Sequence, residues 1–238
     1  MNYIVWEKLA HKYNRLWVQK YSLGPTRREV LKIVLPLLEQ DKSLKILELG
    51  CGTGQLIHEI ASRYPEVNYL GIDVAENMIA AAREANKVKQ DANESIQKGK
   101  LDTKKSITTN RNLEFRVCPV ENFDVKEKYD IIICTHDFPY FPDKEAVMHK
   151  IAGLCSERAQ IIIVNSSTNS LKDLIINFFL KATTSKAKYL SIEEMKKLFE
   201  KSRLRVKAIR IIRERFYMPT IALFHVLAPK ALGGENGA

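Results

Sequence analysis

The stretch Ile46-Leu47-Glu48-Leu49-Gly50-Cys51-Gly52-Thr53-Gly54-Gln55 constrains this chain more than any other. An apolar run of strand length drives into three alternating glycines. A segment with helical spacing (Leu56, Ile57, Ile60) follows directly. Glycine tolerates positive φ and carries no Cβ, so the backbone can turn sharply and a ligand can come close to it. A helix starting there leaves free N–H groups at the turn. Strand, glycine turn and helix in this order open a parallel sheet with crossover helices.

The rest of the pattern agrees. Val67 to Ile72 is strand-like and Glu76 to Lys89 helical. Leu113 to Val117 and Tyr129 to Cys134 are strand-like. Asp143 to Cys155 is helical, with Val147, Ile151 and Leu154 on one side, and Gln160 to Val164 is a strand. The near-continuous runs Ile131-Ile132-Ile133-Cys134 and Ile161-Ile162-Ile163-Val164 fit central strands covered on both faces. Val206 to Ile212 and Thr220 to Leu227 are close in sequence, which favours an antiparallel pair at a sheet edge.

The flanking segments are helical in pattern. Trp6, Leu9, Ala10, Tyr13, Leu16 and Trp17 make one apolar stripe, ended by Tyr21-Ser22-Leu23-Gly24-Pro25. Thr26 and Glu29 have capping-box spacing and predict a second helix from Thr26, kinked or shortened at Pro36. Leu171, Leu174, Ile175, Phe178 and Phe179 form another apolar helical face. Ser191 and Glu194 predict a capped helix with Met195, Leu198 and Phe199 inward. The expected organisation is an N-terminal helical cap over 1–40 and a main domain over 41–228. Within it, 86–110 reads as a polar surface loop, and 229–238 reads as a flexible tail.

Composition excludes several classes. With 45% hydrophobic and 28% charged residues in 238, the chain is not intrinsically disordered. Its cysteines, Cys51, Cys118, Cys134 and Cys155, show no CxxC spacing, so neither a zinc site nor a disulfide scaffold is expected. The first residues lack a secretory pattern, and no apolar run reaches the roughly 20 residues needed to span a bilayer. A cytoplasmic location with reduced thiols follows as the expectation. The net charge of +10 is concentrated in residues 181–230, which hold 13 Lys or Arg against 4 Asp or Glu. Such a patch could meet phosphates or could be a solvated basic face.

Asp73 ends the strand after the glycine turn. About 20 residues beyond such a turn, an acid can accept hydrogen bonds from ribose hydroxyls. The glycines read GxGxG, with Gln55 where the dinucleotide fingerprint GxGxxG has its third glycine. No GxxxxGK[ST] is present, so a phosphate loop of the ATP type is absent. A ribose-bearing cofactor without a pyrophosphate is the expectation.

Glu48-Leu49-Gly50-Cys51-Gly52-Thr53-Gly54, then Asp73 in LGIDVAENMI, then YDIIICTHDFPYFPD resemble the class I S-adenosylmethionine-dependent methyltransferases. The resemblance covers about residues 40 to 228 and is greatest to members that methylate small molecules. It implies a Rossmann-like, doubly wound α/β fold. The seven-stranded sheet would be mostly parallel with one antiparallel edge strand and helices on both faces. It also implies S-adenosyl-L-methionine as cofactor. Glu48, Gly50, Cys51, Gly52 and Gly54 would then wrap the methionine portion, and Asp73 the ribose. Val74, Met78, Val120 and Glu121 would lie on the adenine side, although Pro119 stands where the family often has an acid. Thr135 and His136 would follow the fourth strand, where donor and acceptor meet, with His136 as candidate general base beside His11. Tyr13 is the candidate aromatic wall at the methyl group, with Trp17 and Tyr140 toward the acceptor. The same aromatics also read as the core stripe of a docking helix. Asp137-Phe138-Pro139-Tyr140 resembles the DPPY motif of enzymes that methylate base amino groups. Its acid, however, lies about two residues too far from the strand.

The expected function is methyl transfer to a small-molecule acceptor by in-line displacement, with no metal. An RNA methyltransferase acting on tRNA or rRNA is the alternative, followed by a non-catalytic protein on the same scaffold. A dehydrogenase stands last because the third glycine arrives early.

Overall fold

The computed structural model describes residues 6, 7, 10, 13, 23–97, 112–184, 187–212 and 219–229. Among them, seven strands form one sheet: β1 (Lys45–Leu49), β2 (Asn68–Asp73), β3 (Leu113–Val117), β4 (Tyr129–Thr135), β5 (Cys155–Ser166), β6 (Arg205–Ile212) and β7 (Ile221–Leu227). Their order is β3-β2-β1-β4-β5-β7-β6. The first five are parallel, and β7 runs antiparallel to both β5 and β6. The antiparallel pair thus closes one end of the sheet, with β6 as the rim.

Among the described residues, six continuous helices cover it: α1 (Gly24–Gln40), α2 (Gln55–Ala61), α3 (Glu76–Gln97), α4 (Lys144–Leu154), α5 (Leu171–Thr184) and α6 (Ile192–Lys201). Successive strand residues point to opposite faces, so each isoleucine-rich strand feeds two cores. Ile46, Ile131, Ile133 and Ile162 pack with Val34 and Leu38 of α1, Ile57 and Ile60 of α2 and Ile79 of α3. Leu47, Leu49, Ile132 and Ile163 pack with Val147 and Ile151 of α4 and Met195 and Phe199 of α6. Each fully buried aliphatic side chain contributes roughly 1.5–3 kcal/mol. β1 pairs with β2 on one side and β4 on the other, so strand order reverses there. The crevice beyond the carboxyl ends of β1 and β4 is where open sheets of this kind bind ligands.

Several local expectations hold and others change. Ser191 and Glu194 form the expected capping box at the start of α6. α1 opens at Gly24 rather than Thr26, with Pro25 in its first turn and no side-chain cap. Proline suits that position because the N–H it lacks would have no helical partner. Pro36 sits inside α1 without ending it. α3 continues to Gln97, so the segment expected as a loop from residue 86 is helical to that point. Residues 86–97 hold no Gly or Pro, so nothing in that stretch breaks the helix. Residues 98–111 and 230–238 lie outside the described residues, as do Arg213 and Arg215.

α5 inverts the usual rule. Leu171, Leu174, Ile175 and Phe178 are exposed, whereas Asp173 and Asn177 are buried. The inward groups are well served. Asp173 accepts from the Thr220 amide at 2.8 Å and the Ser170 hydroxyl at 2.9 Å. Asn177 accepts from the Ser166 hydroxyl at 2.7 Å. The basic residues have a different setting: Arg205, Lys207 and Arg210 lie exposed on the rim strand β6. Charges there prevent edge-to-edge pairing, and β5 and β7 separate this strand from β4. Among the described residues, no helix is long and apolar enough to cross a membrane.

Phe199 is fully buried, with its ring 5.4 Å from that of Phe224. Phe199→Ala should therefore cost about 3–5 kcal/mol of stability, read as a lower urea midpoint.

Candidate functional site

The bend begins where β1 ends. Gly50, Gly52 and Gly54 all have positive φ, at 65°, 53° and 72°. A Cβ at Gly50 would overlap the Asp137 carboxyl, and one at Gly54 would lie 2.8 Å from the Phe115 ring. These two glycines are therefore needed for both conformation and space. The Cys51 amide donates to the Ile72 carbonyl at 3.0 Å and ties the bend to β2. Burial pushes the Cys51 thiol up and leaves it unreactive.

Asp73 holds the bend from the neighbouring strand. Its Oδ2 accepts from the Gly52 amide and its Oδ1 from the Ala75 amide, each at 2.8 Å. The Val74 amide adds to these bonds, and a carboxylate with about four acceptor sites still keeps capacity for another donor. Burial raises the Asp73 pKa, and those amides partly counter it. Val74 follows, half-buried, and Met78 is buried on α3 beside Ala75 and Ala10.

Glu48 points from β1 toward the bend and is 2% exposed. Its Oε2 has no hydrogen-bond partner. Burial pushes its pKa up to about 8, despite a hydrogen bond from the Ile57 amide. Val120 and Glu121 lie in the 3-10 turn Val120–Asn122. Val120 belongs to the core, whereas Glu121 has a buried Oε1 without a partner.

Thr135 ends β4, half-buried. His136 follows with φ 61°, an unusual value for a non-glycine residue. Its Nε2 bonds the Thr26 hydroxyl at 2.8 Å, and burial lowers its pKa to about 4. The imidazole therefore joins β4 to α1 as a neutral strut, and the sequence signal at Thr26 is this bond rather than a helix cap. Asp137 comes next, its carboxyl against Gly50. Burial pushes its pKa up to about 8, and the Asp73 and Glu121 carboxylates add to the effect.

Aromatic rings approach from the N-terminal segment. Tyr13 lies over the bend, its ring carbon 3.9 Å from where a Gly52 Cβ would stand. Burial raises its hydroxyl pKa, with Asp73 and Asp137 adding. Trp6 meets Tyr13 and Tyr140 edge-on, at 6.1 and 5.6 Å between ring centroids. The Glu7 carboxylate accepts from the Glu76 and Asn77 amides at 2.7 and 2.9 Å and so caps α3. Trp17 and His11 lie outside the described residues. Trp6 and Glu7 were not singled out for this site by sequence. Asp137 drew notice only as the acid of the DPPY-like run Asp137–Tyr140, set about two residues too far from the strand for that motif. Among the described residues, no group of three or more His, Cys, Asp or Glu is arranged to hold a metal ion.

The raised carboxyls have a consequence for stability. Glu48 and Asp137 bind protons in the folded state up to about pH 8, but near pH 4 when unfolded. The folded state thus holds more protons between those values, and its stability falls as pH rises through them. His136 acts oppositely, but only below about pH 6.5. Between pH 6.5 and 8 the parent should lose stability in urea titrations, and Glu48→Gln should reduce that slope.

Comparison with known proteins fits this geometry. A family model described as a methyltransferase domain matches residues 40–205. A malonyl-[acyl-carrier protein] O-methyltransferase of Bacillus anthracis is 29% identical over 147 residues, covering 60% of this chain and 46% of that protein. This chain thus spans about half the length of that relative or less. Magnesium protoporphyrin IX methyltransferase from Synechocystis PCC 6803, solved with bound SAH, superposes with a TM-score of 0.64 at 18% identity, over 90% of this chain and 88% of the other. The plantazolicin methyltransferase BamL, in complex with a substrate analogue and SAH, gives 0.65 at 18% identity, over 94% and 90%. Those two likenesses concern the fold. The family model spans most of the chain and includes both the bend and the strand-end acid, so the chain belongs to the class I S-adenosylmethionine-dependent methyltransferase family.

Proposed function

We propose that this chain transfers the methyl group of S-adenosylmethionine to a small-molecule acceptor. The observation that carries this reading is the pairing of the Gly50–Gly54 bend with Asp73, whose two oxygens accept the bend and Ala75 amides yet retain acceptor capacity. The residues present fit the donor. Asp73 would take the ribose hydroxyls. Glu48, with an unpartnered buried oxygen, would take the amino-acid end beside Gly50, Cys51, Gly52 and Gly54. Val74, Met78, Val120 and Glu121 would flank the base, with Thr135 at the mouth.

The bound donor supplies an activated methyl and its own leaving group. This chain then has to align the acceptor and exclude water. Trp6, Tyr13 and Tyr140 form an edge-to-face aromatic group suited to both tasks. An imidazole already bonded to Thr26 and with a lowered pKa is a poor proton acceptor, so His136 is assigned a positioning role. The sequence relative named above acts, by its name, on a carrier-bound malonyl group, which supports an acceptor other than nucleic acid here. The exposed basic residues on β6 lie away from the crevice and give no support to an RNA acceptor.

Calorimetry with S-adenosylmethionine and its demethylated product should show binding, and labelled methyl should move to a metabolite pool. No heat at millimolar ligand would overturn the assignment. Asp73→Ala should weaken donor binding by about 1.5–3 kcal/mol, roughly 10- to 150-fold.

A further inference from the structure

The donor reading leaves Asp137 without a role. Its carboxyl occupies the space a side chain at Gly50 would need, so it is built against the bend. It stands in a strongly acidic crevice. Asp73 and Glu121 act on it directly, and it acts in turn on Tyr13, Cys51 and Cys134. Glu48 also acts on Tyr13, Cys51 and Cys134. His136 precedes it as a neutral ring. Arg27 is the described cation whose field reaches Tyr13 and Glu48, and its guanidinium donates to Gln55 at 2.7 Å. Four carboxyl groups from four segments therefore face one crevice, and two of them keep a buried oxygen without a partner. Among the described residues, carboxyl groups outnumber cations at this site.

We propose that Asp137 is a charge-sensing residue of the donor site, carrying its proton in the free protein and releasing it to solvent when a sulfonium donor binds. The proposal rests on the donor reading above. One O–H bond breaks, the proton passes to buffer, and the carboxylate remains facing the crevice. Methyl transfer converts the sulfonium to a neutral thioether, which removes the charge that kept Asp137 ionised. Asp137 then takes a proton back, and the product lacks this contribution to affinity.

The sign follows from linkage. With its pKa held near 8 in the free protein, Asp137 is mostly protonated at pH 7. A nearby cation favours the carboxylate, so donor affinity rises with pH up to about 8 and then levels off. The product keeps the ammonium but lacks the sulfonium. A proton released through Glu48 at the ammonium end would therefore be common to both ligands.

The test is titration calorimetry at pH 7 in buffers of different ionisation enthalpy, with S-adenosylmethionine and S-adenosylhomocysteine. The parent should release more protons with the donor than with the product. Asp137→Asn should abolish that difference while still binding the donor. Equal release by the two ligands in the parent, or a difference that survives Asp137→Asn, would overturn the proposal. Should that variant fail to fold, the parent decides alone. The ratio of donor to product affinity must rise several-fold from pH 6 to 8, and a flat ratio overturns it. Absence of binding by either ligand to the parent would instead remove the donor reading itself.

Discussion

The carboxylate of Asp73 is the fastening on which the crevice depends. It accepts one amide from the bend after β1 and one from Ala75, the residue just before α3. It thereby fixes two backbone segments that leave adjacent strands. Glycines at 50, 52 and 54 allow the left-handed geometry. Geometry that is only permitted would still be mobile, because glycine gives up more conformational freedom on folding than any other residue. The two hydrogen bonds to Asp73, with the Cys51–Ile72 backbone bond, convert a permitted bend into a fixed one.

That arrangement concentrates negative charge. Glu48 beneath the bend, Asp73 beside it and Asp137 just after β4 bring three carboxyl groups to one place, with Glu121 acting on Asp137 from the turn after β3. Like charges and burial both favour the neutral acid. The raised values at Glu48 and Asp137 express that conflict. It marks the crevice as a place where stability has been given up, since a well-packed apolar core would carry no such penalty. A cationic ligand resolves the conflict.

The N-terminal segment and α1 complete the site by long-range contacts. His136 reaches Thr26 across 110 residues of sequence, and Glu7 caps α3 from 69 residues away. Both contacts use polar side chains that look unremarkable in sequence. Thr26 with Glu29 had the spacing of a helix cap, yet the helix starts earlier and the hydroxyl serves the β4 loop instead. α5 shows the same limit: its periodicity correctly marks an apolar face, but Asp173 and Asn177 find buried partners and turn that face outward.

The local sequence determined the strands, their alternation with helices, the glycine bend and the acid that follows it. Each is written within a short stretch of chain, where period and residue type report directly on backbone geometry. The tertiary structure decided the rest. It placed Asp137 against Gly50, bonded His136 to Thr26, set Tyr13 over the bend and left β6 as a charged rim. These depend on which distant groups meet once the sheet has formed. A side chain's protonation and its partners are fixed by that surrounding burial and charge, which no local pattern encodes.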